Sequence, residues 1–115
     1  MNYQIHGRKL KISADAQAES QVEFRWPVAE VIQLDSIFVV RIAPDIGSCD
    51  NCNVCAVDVT GNTVWTVADR KYVYADSPFT KVLAEEGKLK LFNWDGLTIE
   101  VDPNTWKEVS AVYGR

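Results

Sequence analysis

Short runs of alternating apolar and polar residues, separated by turn-forming residues, recur along the whole chain. Alternation with period two puts apolar side chains on one face of a strand, and frequent turns join such strands as antiparallel neighbours. Tyr3 and Ile5, then Leu10 and Ile12, alternate around His6-Gly7 and predict a first hairpin. Val22, Phe24 and Trp26 alternate until Pro27 interrupts. Val28–Leu34 fits either a strand or a short helix with Pro27 at its first position; its β-branched residues favour the strand. Asp35-Ser36 predicts a turn. Ile37–Ile42 is apolar on both faces except for Arg41, as a central strand would be.

The later turns are more sharply marked. Pro44–Asn53 is the most loop-like stretch. Asp58-Val59-Thr60-Gly61 has Asp first and Gly fourth, the type I preference, and joins Val54–Val57 to Thr63–Val67. Glu86-Gly87 is a weaker turn before Lys88–Phe92. Asp95-Gly96 reads as a two-residue type I′ hairpin, and Asp102-Pro103-Asn104-Thr105 as a type I turn. Trp106–Tyr113 is expected to be an edge or closing strand. Tyr72 and Tyr74 read as one face of a strand, with Lys71 and Val73 on the other. Ser13–Ser20 has no apolar side chain larger than alanine and reads as a loop or a turn or two of exposed helix. The expectation is an all-β, antiparallel fold with about nine or ten strands. They would form two packed sheets of hairpins and meanders, either a sandwich or two blade-like sheets.

A chain of 115 residues with scattered prolines and no low-complexity tract reads as a single domain, 1–115. With 47% hydrophobic and 24% charged residues it has the make-up of a globular protein. A net charge of −4 repels phosphate backbones, so nucleic acid is not an expected partner. The longest apolar run, Ile37–Val40, is far short of the roughly 20 residues that span a bilayer, so no membrane segment is expected. Met1–Arg8 has no apolar core of a secretory leader. The three cysteines all fall between Cys49 and Cys55, and an odd, clustered set fits a reducing compartment. A cytoplasmic location follows as an expectation.

Cys55-Ala56-Val57-Asp58-Val59-Thr60-Gly61-Asn62-Thr63-Val64-Trp65 and the run from Leu89 to Thr105 share a rhythm. A strand ends in Val-Asp, a turn follows, and the next strand carries a large apolar residue. Both resemble strand–turn–strand units of β-propeller blades of the quinoprotein type. The second departs from that pattern, because Trp106 stands where glycine is expected. From Trp26 to Val112 the chain also resembles small uncharacterised bacterial all-β proteins. That likeness rests on Trp26-Pro27, Val39-Val40 and the Asn93-Trp94-Asp95-Gly96 to Val101-Asp102-Pro103-Asn104-Thr105 ending. The resemblance implies a fold and carries no activity. A closed propeller needs about four to eight blades, and there is material here for about two. Either the sheets pack face to face or chains associate, so a homodimer is among the expectations.

Cys49-x-x-Cys52-x-x-Cys55 is the sharpest chemical motif. Thiolates so spaced can ligate zinc or an iron–sulfur cluster. The fourth cysteine position is Val59, however, His6 is remote, and Asp50 is a weak substitute. Cys55 shares a strand face with Val57 and reads as a small buried apolar group. Structural thiols are therefore the first reading. Metal binding and a reversible Cys49–Cys52 disulfide are the alternatives, and the strand-then-helix setting of a thioredoxin-type site is missing. His6 reads as a turn residue with no nucleophile marked beside it. No serine lies in a Gly-x-Ser-x-Gly elbow, and the glycines are isolated. Glu85 could be paired with Asp95 or Asp102 for acid–base work, yet Asp58, Asp95 and Asp102 are explained as turn formers. Of Trp26, Trp65, Trp94 and Trp106, Trp65 is expected in the core beside Val67, while Trp94 fits either core or surface.

No catalytic, cofactor-binding or metal-ligating residue is assigned. The expected function is a small, non-enzymatic protein–protein interaction domain with a basic partner, an immunity-type role being one concrete form. One alternative is a metal- or redox-linked protein using Cys49, Cys52 and Cys55. The other is a small-ligand or glycan binder using exposed Trp94 and tyrosines.

Overall fold

The computed structural model describes residues 1–14 and 18–114. Among them are eleven strands, all paired antiparallel, and no helix. β1 (Asn2–His6), β2 (Lys9–Ser13) and β3 (Ser20–Glu23) form one sheet in that order. β4 (Val28–Leu34), β5 (Ile37–Ile42), β6 (Val54–Asp58) and β7 (Thr63–Thr66) form a second, as a simple meander. β8 (Phe79–Glu85), β9 (Lys88–Asn93), β10 (Leu97–Val101) and β11 (Glu108–Tyr113) form a third in the same way. The expectation of an all-β antiparallel fold of packed meanders holds, but the expected two sheets are three and the nine or ten strands are eleven, because the first hairpin and β3 form a sheet of their own. The stretch read as a loop or helix within Ser13–Ser20 lies partly outside the described residues.

Three sheets stack because β5 and β6 are apolar on both faces. Phe38, Val40 and Val57 pack with Leu10 and Ile12 of the first sheet. Val39, Val54 and Ala56 point the other way and pack with Val82, Leu89, Leu91 and Ile99 of the third. The direct pairs Phe38↔Val57 and Val39↔Ala56 keep each set on its own face. A one-residue slip would exchange the two cores, so register is strongly fixed.

Where β4 and β8 approach, a carboxylate joins the second and third sheets. Glu30 Oε1 accepts from Arg41 Nε at 2.7 Å and from the Val82 backbone N–H at 2.8 Å. That bond satisfies a donor on β8, an outer strand of its sheet that would otherwise offer it to solvent or to another chain.

The turns follow their chemistry with two exchanges. Asp58 Oδ1 accepts from the N–H groups of Thr60 and Asn62 and from the Thr60 hydroxyl, while Gly61 takes φ +87. The Thr60 hydroxyl bond, helped by the backbone donors, lowers the Asp58 pKa. At Asn93–Gly96 only Gly96 has positive φ, and its N–H bonds the Asn93 carbonyl at 3.1 Å. The loop therefore holds Trp94, Asp95 and Gly96, a turn followed by a left-handed glycine, rather than the expected two-residue type I′ turn. The both-positive pair is instead Glu86 (φ 52) and Gly87 (φ 74), closed by the pair Glu85↔Lys88. Lys71–Tyr74 is not a strand. It belongs to the connection between β7 and β8, which turns Tyr72 inward and leaves Val73 and Tyr74 outside.

Candidate functional site

Three connections meet at one end of the stack: the loop from Ala43 to Asn53, the β7–β8 connection and the Trp94–Gly96 tip. Small polar side chains lace them together. Asn53 bonds both backbone groups of Phe79. Asn51 accepts from the Ser77 N–H at 2.8 Å and donates to the Ala75 carbonyl at 2.9 Å. Asp76 accepts from the N–H groups of Gly47 and Cys49, at 2.7 and 3.2 Å. Gly47 and Cys49 have φ values of +86 and +57, so their N–H groups turn toward one anion, as in backbone nests. Asn93 Nδ2 donates to the Ser77 carbonyl at 2.8 Å, and the Trp94 N–H reaches the Pro78 carbonyl at 2.9 Å. The loop read from sequence as irregular is thus heavily bonded to its neighbours.

Asp95 fixes the exposed tip. One oxygen accepts from the Leu97 N–H at 3.1 Å. The other accepts from the Val73 N–H at 3.1 Å and the Tyr113 hydroxyl at 3.0 Å. This brings Val73 and Tyr74 to the same tip as Trp94. Their exposures are 65%, 59% and 65%, high values for side chains of this size.

The three cysteines diverge. Cys49 is exposed, Cys52 packs against the core between the second and third sheets, and Cys55 packs against the core between the first and second. All three are free thiols. Burial pushes the Cys55 thiol up to about 11, and raises Cys52 with help from Asp69 and Asp50. Among the described residues no three His, Cys, Asp or Glu side chains gather as a metal site would require. That divergence follows from strand alternation near Cys55 and from the loop path around Cys49.

The other candidates are scattered. His6 Nε2 lies 3.2 Å from Gln4 Oε1 on the outer face of β1. Glu85 and Asp95 sit at opposite ends of the β8–β9 hairpin, since Glu85 pairs with Lys88 and Phe79 with Asn93. Asp102 is occupied by the Asn104 N–H at 2.8 Å. Trp26 donates from Nε1 to Asp50 at 2.7 Å, beneath the Arg25 guanidinium. Trp65 and Trp106 stack with centroids 5.2 Å apart, both partly buried. Trp94 is the exposed tryptophan.

Sequence reasoning missed Val73, Tyr74 and the anchoring by Asp95. A signal is present: on the face opposite Tyr72 and Tyr74, Val73 is a single apolar residue beside Lys71, too little to bury a strand face. The bond from Val73 to Asp95 joins residues 22 positions apart, which no local pattern displays.

No helix among the described residues is long and apolar enough to cross a membrane. A protein-family model for a domain of unknown function matches residues 1–111. No curated protein matches the chain.

Proposed function

The chain belongs to the DUF7957 family, and we propose that it is a non-enzymatic protein-interaction domain that docks a partner through Val73, Tyr74 and Trp94. The observation behind this reading is the cluster itself: three large apolar side chains, each more than half exposed, on backbone held by Asp95 and Pro78. Tyrosine and tryptophan dominate interface hot spots, and anchoring beforehand reduces the ordering cost of binding. The net charge of −4 favours a basic partner and faster encounter. A cytoplasmic, immunity-type role in bacteria belongs to the same proposal. The two four-stranded meanders support kinship with propeller blades. The glycan-binding alternative is less well served, because Trp94 borders neither the cleft lined by Ile37 and Trp106 nor the one lined by Trp65 and Ile99.

A second copy is a further partner favoured by one feature. The β1 edge has no charged side chain within it and no register shift, whereas the edges at β7 and β11 each carry a register shift and β11 also carries Glu108. Antiparallel pairing about Gln4 would set Tyr3 opposite the partner's Ile5, covering side chains now 36% and 42% exposed. Sedimentation of wild type and an Ile5→Lys variant tests it. A dimer lost in the variant supports the pairing, and a monomeric wild type rules it out.

The main test is a photo-crosslinking residue at position 94, with position 64 on β7 as the exposed control. The expected result is a discrete protein adduct from 94 alone. The purified adduct partner should bind about tenfold more weakly to Tyr74→Ala. The same adducts from both positions, or binding indifferent to Tyr74→Ala, overturn the proposal.

A further inference from the structure

At the end of the stack opposite Trp94, the Asp35-Ser36 turn, the Glu86-Gly87 turn and the loop before β11 enclose a cleft of roughly 600 Å³. We infer that this cleft receives an arginine side chain carried by a basic segment of a protein partner. The site is separate from the aromatic tip and does not depend on it.

The walls favour a long, partly apolar cation. Leu34, Ile37 and Trp106 line the cleft, and each packs behind against the core of the second and third sheets. Their positions are therefore set before anything binds. Asp35, Glu85 and Glu86 stand at the rim. Lys88, the cation lining the cleft, has its Nζ 3.6 Å from Glu100, and Glu85 has Lys90 at 3.5 Å. Asp35 and Glu86 have no ion-pair partner among the described residues. An entering anion would meet uncompensated negative charge, and a neutral apolar group would desolvate the carboxylates without return. An arginine matches both parts. Its methylene stem covers Leu34 and Ile37, its guanidinium can lie on the Trp106 indole, and its forked donors suit carboxylates.

Binding is read from the ¹⁵N-labelled full chain, using the indole N–H of Trp106, assigned with Trp106→Phe, and the Gly87 amide. The probes are acetyl-Gly-Arg-Gly-amide, the same peptide with citrulline, and free agmatine. The expected result is a saturable shift of both signals with the arginine peptide and none with the citrulline peptide. Raising salt should weaken it, and Asp35→Asn with Glu86→Gln should weaken it about tenfold. Both replacements keep the side-chain size at turn positions whose fold can be checked from the spectrum itself. Absence of saturation, or equal shifts from citrulline, overturns the inference. Agmatine binding as tightly as the peptide overturns the protein source and makes the site one for small organic cations. Trp94→Ala is expected to leave the titration unchanged, so the two proposals fail separately.

Discussion

Asn53 pairs with Phe79 as a neighbouring strand would: its Oδ1 accepts the Phe79 N–H at 2.8 Å and its Nδ2 donates to the Phe79 carbonyl at 2.9 Å. The same Nδ2 donates to the Ile42 carbonyl at 2.9 Å. One amide, 1% exposed, therefore ties the end of β5 to the start of β8.

Removing it should be costly. Asn53→Ala leaves buried backbone groups of Phe79 and Ile42 short of partners, with an expected loss of about 3 kcal/mol or more in urea unfolding. Asn53→Asp keeps the shape but loses the amide N–H donors, so its carboxylate faces two carbonyl oxygens. Protonation restores one donor, and this variant should regain stability on acidification. A uniform loss across pH would show that the polar pairing is not what matters.

Trp106 sits at φ +60, where a bulky residue is strained. Its ring stacks on Trp65 at 20° between planes, and that packing holds the backbone there. Trp106→Ala loses the stacking and keeps the strain, whereas Trp106→Gly loses both. The glycine variant should be the more stable by about 1 kcal/mol, although glycine normally weakens a chain relative to alanine. Thermal unfolding of both, with near-UV dichroism to follow the indole pair, decides it. An alanine variant that equals or exceeds the glycine one shows that no strain is stored at Trp106.

Tyr72 is buried, and its hydroxyl has no hydrogen-bond partner among the described residues. Burial pushes its pKa up from 10.0 to about 12. The unfolded chain releases this proton first, so the Tyr72 contribution is whole below pH 10 and is lost as pH rises through about 12. Tyr72→Phe removes both the unpaired hydroxyl and the titration. It should stabilise the protein by about 1–3 kcal/mol at neutral pH and flatten the alkaline loss. Tyr113→Phe is the comparison, since Tyr113 is raised chiefly by its bond to Asp95. If Tyr72→Phe is destabilising at neutral pH, the hydroxyl has a partner in solution.

The thiols should react in the order Cys49, Cys52, Cys55. Exposure opens Cys49, burial and two nearby carboxylates hold Cys52 back, and Cys55 keeps its proton to about 11. Timed alkylation followed by peptide mass spectrometry reads this order. Labelling of Cys55 in the native protein at the rate of Cys49 would show that the core between the first two sheets opens readily.

Much of the fold is written in local pattern. Period-two alternation specified the strands, and Asp58–Gly61 specified its turn because aspartate can cap backbone donors two to four residues on. The two-faced apolar run Ile37–Ile42 marked a central strand correctly. Asp95-Gly96 misled because a glycine at positive φ serves both two- and three-residue loops, and the pairing beyond it chooses between them. Tyr72–Tyr74 misled because alternation over so few residues does not separate a strand from a connection whose backbone bonds go to distant side chains.

The sequence by itself determined an antiparallel β chain, most of its strand positions and the core-facing side of Cys55, because these depend on neighbours within a few residues. Only the tertiary structure decided that three layers stack, that the cysteines point apart, and that Val73, Tyr74 and Trp94 share one tip. Those outcomes depend on contacts such as Asn53 with Phe79, Asp95 with Val73 and Glu30 with Val82. Such contacts are satisfied by small polar groups common along the chain, and which of them meet is set by how the sheets stack.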